Sequence, residues 1–312
     1  IIELKNTSSA TSTALTLTNL GTGNTLLIED EASDSTPFVI DANGNVGVGT
    51  TDITAKLTVQ NLTKTQASMI VKQRSSLFQK TIGGASDDYG GSIQQTSDGG
   101  YVIVGITDSY GAGSVDIFIV KLDSSGNLSW AKTIGGGDFD IGYSIQQTSD
   151  GGYVIVGDTQ SYGAGGSDVF VIKLNSSGNL SWAKTIGGAD WDSGYSTQQT
   201  SDGGYVIVGR TWSYGARGSD VFIVKLDSSG NLSWAKTIGG GKVDSSSSIQ
   251  QTFDGGYVIV GHTYSYGAGN SDVFLIKLDS SGNLSWAKTI GGASDDYGGS
   301  IQQTSDGGYV IV

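Results

Sequence analysis

The chain has 312 residues, with 50 Gly, 1 Pro, no Cys, one His and a formal charge of −13; 27 of its 30 acidic residues are Asp. Asp and Gly suit turns where Glu suits helices, so the composition points to an all-β chain and away from helices. It excludes disulfides and thiolate chemistry, leaves a Ser–His–Asp triad almost nothing to draw on, and through its acidic field disfavours DNA, RNA and anionic membranes.

No apolar run approaches the roughly 20 residues of a membrane span, so no membrane insertion is expected. The chain starts at Ile1 without an initiator Met and stops at Val312 inside an apolar run, and reads as processed or partial. Residues 1–79 show short alternating runs, such as Leu15–Thr18, and an Asn43-Gly44 turn between Phe38-Val39-Ile40 and Val46. Large apolar residues are few, so a self-sufficient core of this size is not expected, and association with other chains would supply one. Residues 60–79 read as a connector strand.

From residue 80 the chain repeats. Lys-Thr-Ile-Gly-Gly recurs from Lys80, Lys132, Lys184, Lys236 and Lys288, a spacing of 52 residues. The repeats are 80–131, 132–183, 184–235, 236–287 and a partial 288–312 identical to 80–104. Each predicts four strands: in the first, a over Ser92–Thr96, b over Gly100–Thr107, c over Asp116–Asp123 and d over Leu128–Ile134. The runs YVIV and IFIV are β-branched and aromatic, as in strands covered on both faces. Ser97-Asp98-Gly99 and Ser124-Ser125-Gly126-Asn127 are hairpin turns. A four-stranded meander of this length is the size of a β-propeller blade, with an open β-solenoid as the alternative. One Trp per repeat on strand d (Trp130, Trp182, Trp234, Trp286) suits an anchor between blades.

The repeat resembles Gly- and Asp-rich surface-protein repeats of bacteria and archaea, with the pattern DGGYIVAGxTxSxGxGxxDxxLIKLDxxGNxxWxKTxGG. That resemblance implies a propeller-like fold and an extracellular place without an activity. Thr96-Ser97-Asp98-Gly99-Gly100 resembles the Asp-box of sialidase propellers, a folding element, with Ile103 at its Trp position. Residues 14–59, most specifically GNVGVGTT (44–51), resemble the shaft and neck of tailed-phage fibres and related trimeric surface fibres, with Ile53 where that family has Pro. This implies self-association, as a trimer or fibre, through residues 1–79.

Loops a–b and c–d leave one end of every blade and barely change between repeats. The d–a loops and the ends of strand b vary, which places Trp191, Arg210, Trp212, His262 and Tyr264 on one face. Aromatic rings beside Arg and His suit a glycan or surface-receptor site, while relaxed drift at exposed loops is the competing reading. The recurring Asp88, Asp116, Asp140 and Asp168 offer oxygen-rich loops that can hold Ca²⁺. Asx-turn capping, which needs no metal or cofactor, is the favoured reading. Paired carboxylates such as Asp87/Asp88 and Asp190/Asp192 recur from blade to blade, which argues against a catalytic pair. Gly111–Gly113 reads as a turn. Asn127, Asn179, Asn231 and Asn283 open N-L-S sequons, as do Asn6, Asn61 and Asn175 in others, and turn formation or glycosylation explains them. The leading expectation is a non-enzymatic extracellular fibre or appendage protein, from a virion or a cell surface. A secreted glycan-acting propeller hydrolase and purely structural spacer repeats are the alternatives.

Overall fold

The computed structural model describes residues 26–28, 38–40, 46–48, 57–59 and 79–312. The Leu15–Thr18 alternation, the Asn43-Gly44 turn, Ile53 and nearly all of the 60–79 connector lie outside the described residues. The chain divides into two compact units, Ile1–Ser75 and Ser76–Val312.

In the first unit, β1 (Leu26–Ile28), β2 (Phe38–Ile40), β3 (Val46–Val48) and β4 (Leu57–Val59) form one sheet in that order. Phe38 pairs with Val48 in an antiparallel register, as a hairpin between those runs requires. β3 and β4 are parallel, which alternation alone does not reveal.

The second unit is built from separate four-stranded antiparallel sheets. The first blade holds β5 (Asp88–Gln95), β6 (Tyr101–Thr107), β7 (Asp116–Leu122) and β8 (Leu128–Ile134). The second holds β9 (Asp140–Gln147), β10 (Tyr153–Thr159), β11 (Asp168–Leu174) and β12 (Leu180–Ile186). The third comprises β13 (Asp192–Gln199), β14 (Tyr205–Thr211), β15 (Asp220–Leu226) and β16 (Leu232–Ile238). The fourth comprises β17 (Asp244–Gln251), β18 (Tyr257–Thr263), β19 (Asp272–Leu278) and β20 (Leu284–Ile290), and a half-blade of β21 (Ile301–Gln303) and β22 (Tyr309–Ile311) follows. Strand d falls where the sequence predicts it. Strand a of the complete blades begins four residues earlier than expected, at Asp88 rather than Ser92, because the Gly- and Ser-rich stretch is held by pairing with strand b. One residue of that stretch is bulged out of the ladder in every complete blade: Gly91, Tyr143, Tyr195 and Ser247.

Both faces of strands b and c are covered in the second to fourth blades, so their apolar runs have no polar alternation. Val102, Val104, Ile117 and Ile119 of the first blade pack on Tyr153, Ile155, Phe170, Ile172 and Leu174 of the second. The opposite face of the second blade (Val154, Val156, Val169, Val171) packs on the same set of positions in the third. The pattern repeats into the fourth blade and the half-blade. Each such side chain contributes roughly 1.5–3 kcal/mol on burial, and this places the core between blades. The Trp of strand d closes the outer edge of each interface. Trp130 meets Tyr153 of the next blade edge-on, with centroids 5.7 Å apart. It also lies against Gly178, whose φ of 75° and 3.0 Å clearance from the indole leave no room for a side chain.

Polar ladders lock the constant end. Ser97 N–H donates to Gln147 Oε1 at 2.8 Å, and Gln147 N–H donates to Gln94 Oε1 at 2.5 Å, joining neighbouring blades. The same pair of bonds recurs at each later boundary. In the turn resembling an Asp-box, Asp98 accepts from Thr96 Oγ1, Gly100 N–H and the buried Lys121 ammonium. Asp98 is therefore a folding residue.

The open face of the first blade carries a groove of about 530 Å³ lined by Ile82, Tyr110, Phe118, Leu122 and Leu128. The equivalents of Phe118 and Leu122 in later blades are covered by the preceding blade, so this is a packing face without convergent polar chemistry. In the sequence, residues 76–82 (SLFQKTI) echo LSWAKTI one period earlier, and the second compact unit begins at the same residue.

Candidate functional site

The variable end is built on a constant frame. The first residue of strand a is an Asp that caps the loop before it. Asp140 accepts from Thr159 Oγ1, from Ser161 Oγ at 2.7 Å and from Gly136 N–H at 2.7 Å. Asp192 and Asp244 accept from Ser213 and Ser265 in the same way. The first residue of strand c is the second recurring Asp. Asp116, Asp168 and Asp220 each accept the N–H of an Ala four residues earlier at 2.6 Å. Both sets face the Thr at the end of strand b, which separates Asp88 from Asp116 within one blade.

One oxygen of each of these carboxylates is taken by backbone N–H or Ser O–H donors, as in Asx-type capping. Among the described residues no three His, Cys, Asp or Glu side chains converge as metal ligands. One oxygen each of Asp116 and Asp220 is buried without a hydrogen-bond partner. Burial, and then the carboxylate of the next blade's Asp, pushes both pKa values up. A raised carboxyl pKa favours the native state most below the unfolded value and subtracts stability as pH rises through the folded value. Asp220→Asn is therefore expected to match or exceed wild-type stability at pH 7, by up to about 1 kcal/mol, in urea unfolding. A clear loss at pH 7 would show that the charge is needed.

The residues that break the repeat sit on this frame. The sixth residue of strand b is Ile106, Asp158, Arg210 and His262 in successive blades, paired with the second residue of strand a. The bulge in strand a presents Tyr143 and Tyr195 beside them, and those rings meet edge-on at 5.4 Å. Tyr143 lies beside Asp158, which accepts from Ser167 Oγ at 3.4 Å. Burial raises the Asp158 pKa to about 6 against the opposing effects of Tyr143, Ser167 and Arg210. Burial also raises the Tyr143 and Tyr195 hydroxyls.

Arg210 lies 5.9 Å from the Tyr195 ring centroid, within cation–π range, and its Nε is buried with no partner. His262 stacks edge-on against Tyr297 at 5.0 Å and Tyr264 at 6.0 Å. Burial and the Arg210 charge lower its pKa, so the ring is neutral at pH 7. The hydroxyls of Tyr264 and Tyr297 are 3.0 Å apart, and this bond raises Tyr297 to about 12. The result is a belt of two clusters: Asp158, Tyr143, Tyr195 and Arg210 in the second and third blades, and His262, Tyr264 and Tyr297 in the fourth blade and the half-blade, with the Arg210 charge acting on His262.

Of the five residues read from the sequence, Arg210, His262 and Tyr264 belong to this belt. Trp191 and Trp212 are neighbours, with Trp212 N–H donating to the Trp191 carbonyl at 2.9 Å. The Trp191 indole lies over Gly166 of the second blade, and both rings are about half exposed. Sequence reasoning missed Tyr143, Asp158, Tyr195 and Tyr297 as site residues. The signal for the first three is the departure from the repeat at those positions. For Tyr297 there is none, because its copy Tyr89 stands in an identical segment.

Separate antiparallel blades that bury strands b and c against their neighbours define a β-propeller repeat protein. Residues 96–128, 148–180 and 254–284 match a family model described as a β-propeller domain of unknown function. The regulatory protein FlaEY of Caulobacter vibrioides is 26% identical over 152 residues, which cover 44% of this chain and 16% of that protein's length. A protein of unknown function from Bacteroides caccae is 14% identical, with a TM-score of 0.43 over 67% of this chain and 70% of its own. A mutant of the Synechocystis apocarotenoid oxygenase is 10% identical, with a TM-score of 0.43 over 86% of this chain and 58% of its own.

Proposed function

We propose that this is a non-enzymatic extracellular fibre or appendage protein whose blades present one binding face, with a surface glycan or receptor as its partner. The observation that carries the reading is the concentration of repeat-breaking side chains at one end of the blades. The opposite end keeps the same Asp, Lys and Gln bonds from blade to blade. Drift without selection would not gather Tyr143, Tyr195 and Arg210 into one cluster of contacts and His262, Tyr264 and Tyr297 into another at the same end. Exposed Trp191 and Trp212 offer ring faces beside it, as sugar C–H faces need.

Residues 1–79 would supply self-association, by the resemblance of residues 14–59 to trimeric fibre shafts. The test of the binding face is a surface-glycan array probed with the wild type and a Trp191/Trp212/Tyr264 triple-Ala variant. Wild-type binding and a loss of at least about tenfold in the variant are expected. Equal binding by the two proteins would leave the repeats as spacers. The one observation favouring the hydrolase reading is Asp158, a non-repeated acid with a pKa near neutrality. Release of reducing ends by the wild type, abolished in Asp158→Asn, would establish it.

A further inference from the structure

The repeats contain twelve Lys and Arg residues, and nine of them are periodic: five at the Lys80 position and four at the Lys121 position. The four buried lysines of the second set each have an Asp partner at 2.8–3.0 Å. The three aperiodic cations are Arg210, Arg217 and Lys242. All three lie at the variable end of the third and fourth blades. Arg217 occupies the b–c loop of the third blade, and the next residue, Gly218, abuts the backbone of Lys242 so closely that a Cβ there would overlap the Lys242 carbonyl. Lys242 stands where the two preceding blades carry Asp138 and Asp190, so the local charge is reversed.

None of the three makes an ion pair among the described residues. Arg210 is half-buried on the belt, with its Nε unsatisfied and its guanidinium 5.9 Å from the Tyr195 ring centroid. Asp158 is the nearby opposite charge on the belt, but it forms no ion pair with Arg210. A guanidinium that is partly desolvated and left without a carboxylate is costly unless something outside the fold neutralises it. Three aperiodic cations at the variable end of two adjacent blades, in a chain of charge −13, give an anion local attraction there.

We infer that Arg210, Arg217 and Lys242 form an anion-recognising subsite, and that the belt takes an acidic saccharide whose carboxylate or sulfate is held there. The guanidinium fork suits a planar carboxylate or a sulfate edge, while the exposed rings of Trp212 and Tyr297 at the same end suit the sugar faces. The neutral His262 adds a donor or acceptor without adding charge. This inference rests on the proposed glycan-binding role and specifies its ligand class.

The test is calorimetric titration of the full chain with trigalacturonate, its methyl ester and a sulfated galactotriose. The wild type and two variants are used, Arg210→Gln and the double variant Arg217→Gln/Lys242→Gln. The double variant alters exposed side chains only, so its fold is safe, and unchanged near-ultraviolet circular dichroism checks Arg210→Gln. At least one acidic trisaccharide is expected to bind about tenfold more tightly than the ester. The double variant should lose most of that preference while leaving the ester unaffected, and Arg210→Gln should weaken the acid more than the ester. The carboxylate and sulfate arms show which group the subsite takes. Equal affinity for acid and ester, or acid binding unchanged in both variants, overturns the inference while leaving a neutral-glycan role intact. Binding of none of the three, when the array also finds no glycan, overturns both. Tighter binding of a control oligonucleotide than of either acid would also overturn it.

Discussion

Gly209→Ala is expected to lower the unfolding free energy by about 3 kcal/mol or more, while Gly241→Ala changes it by no more than about 0.5 kcal/mol. Gly209 lies on β14 opposite Gly194, one residue before the bulge at Tyr195. The bulge turns the Ser193 carbonyl into the space above Gly209, so a Cβ there would overlap backbone oxygen and carbon. Backbone cannot rotate aside as a side chain can, so the whole a–b pair must shift. Gly105, Gly157 and Gly261 meet the same obstruction in their blades. Gly241 is exposed and has nothing within 4 Å of its virtual Cβ. Urea unfolding of both variants checks the pair. Equal stability would mean that the bulge presenting Tyr143 and Tyr195 is not held as described.

Asp202→Ala is expected to cost about 2 kcal/mol at pH 7, and adding Lys225→Met should restore most of the loss. Lys225 is almost fully buried, and its ammonium has Asp202 at 2.9 Å and the Leu226 carbonyl at 3.1 Å as partners. Removing Asp202 strands that charge. The cost stays below that of a fully buried pair because the Asp side chain is 65% exposed. Burial works to raise the Asp202 pKa, but Thr200, Lys225 and Gly204 N–H overcome it and leave it at about 2. Asp150 and Asp254 sit at about 2 as well, and Asp98 is lowered further.

A depressed carboxyl pKa contributes stability above the unfolded value near 4, and that contribution is lost as pH falls toward 2. The blades should therefore lose stability together between about pH 4 and pH 2. Thermal scans of wild type and Asp202→Ala should converge over that range. A constant difference between them down to pH 2 would contradict the pairing.

Much of the fold was legible because each blade solves the same packing problem. The 52-residue period, the β-branched runs of strands b and c and the Trp of strand d are local signals with local consequences. The early start of strand a was not legible. Residues 88–91 read Asp-Tyr-Gly-Gly, which has weak strand propensity, and only pairing with Gly105–Thr107 makes it a strand.

The site was partly legible for a related reason. Arg210, His262 and Tyr264 announce themselves by departing from the repeat. Tyr143 and Tyr195 face the belt because a bulge displaces them, and bulges arise in pairing rather than in propensity. Tyr297 shows the limit most plainly. Its segment is identical to that of Tyr89, and it belongs to the belt only because the blade before it carries His262.

Hydrogen–deuterium exchange of the wild type, with and without a glycan or surface polysaccharide selected on the array, tests the separation of a constant end from a binding end most directly. Slowed exchange is expected at the starts of strands β9, β13 and β17 and the ends of β10, β14 and β18, with no change in the turns around Asp98, Asp150, Asp202 and Asp254. Protection at those constant turns, or spread evenly over all blades, would contradict it.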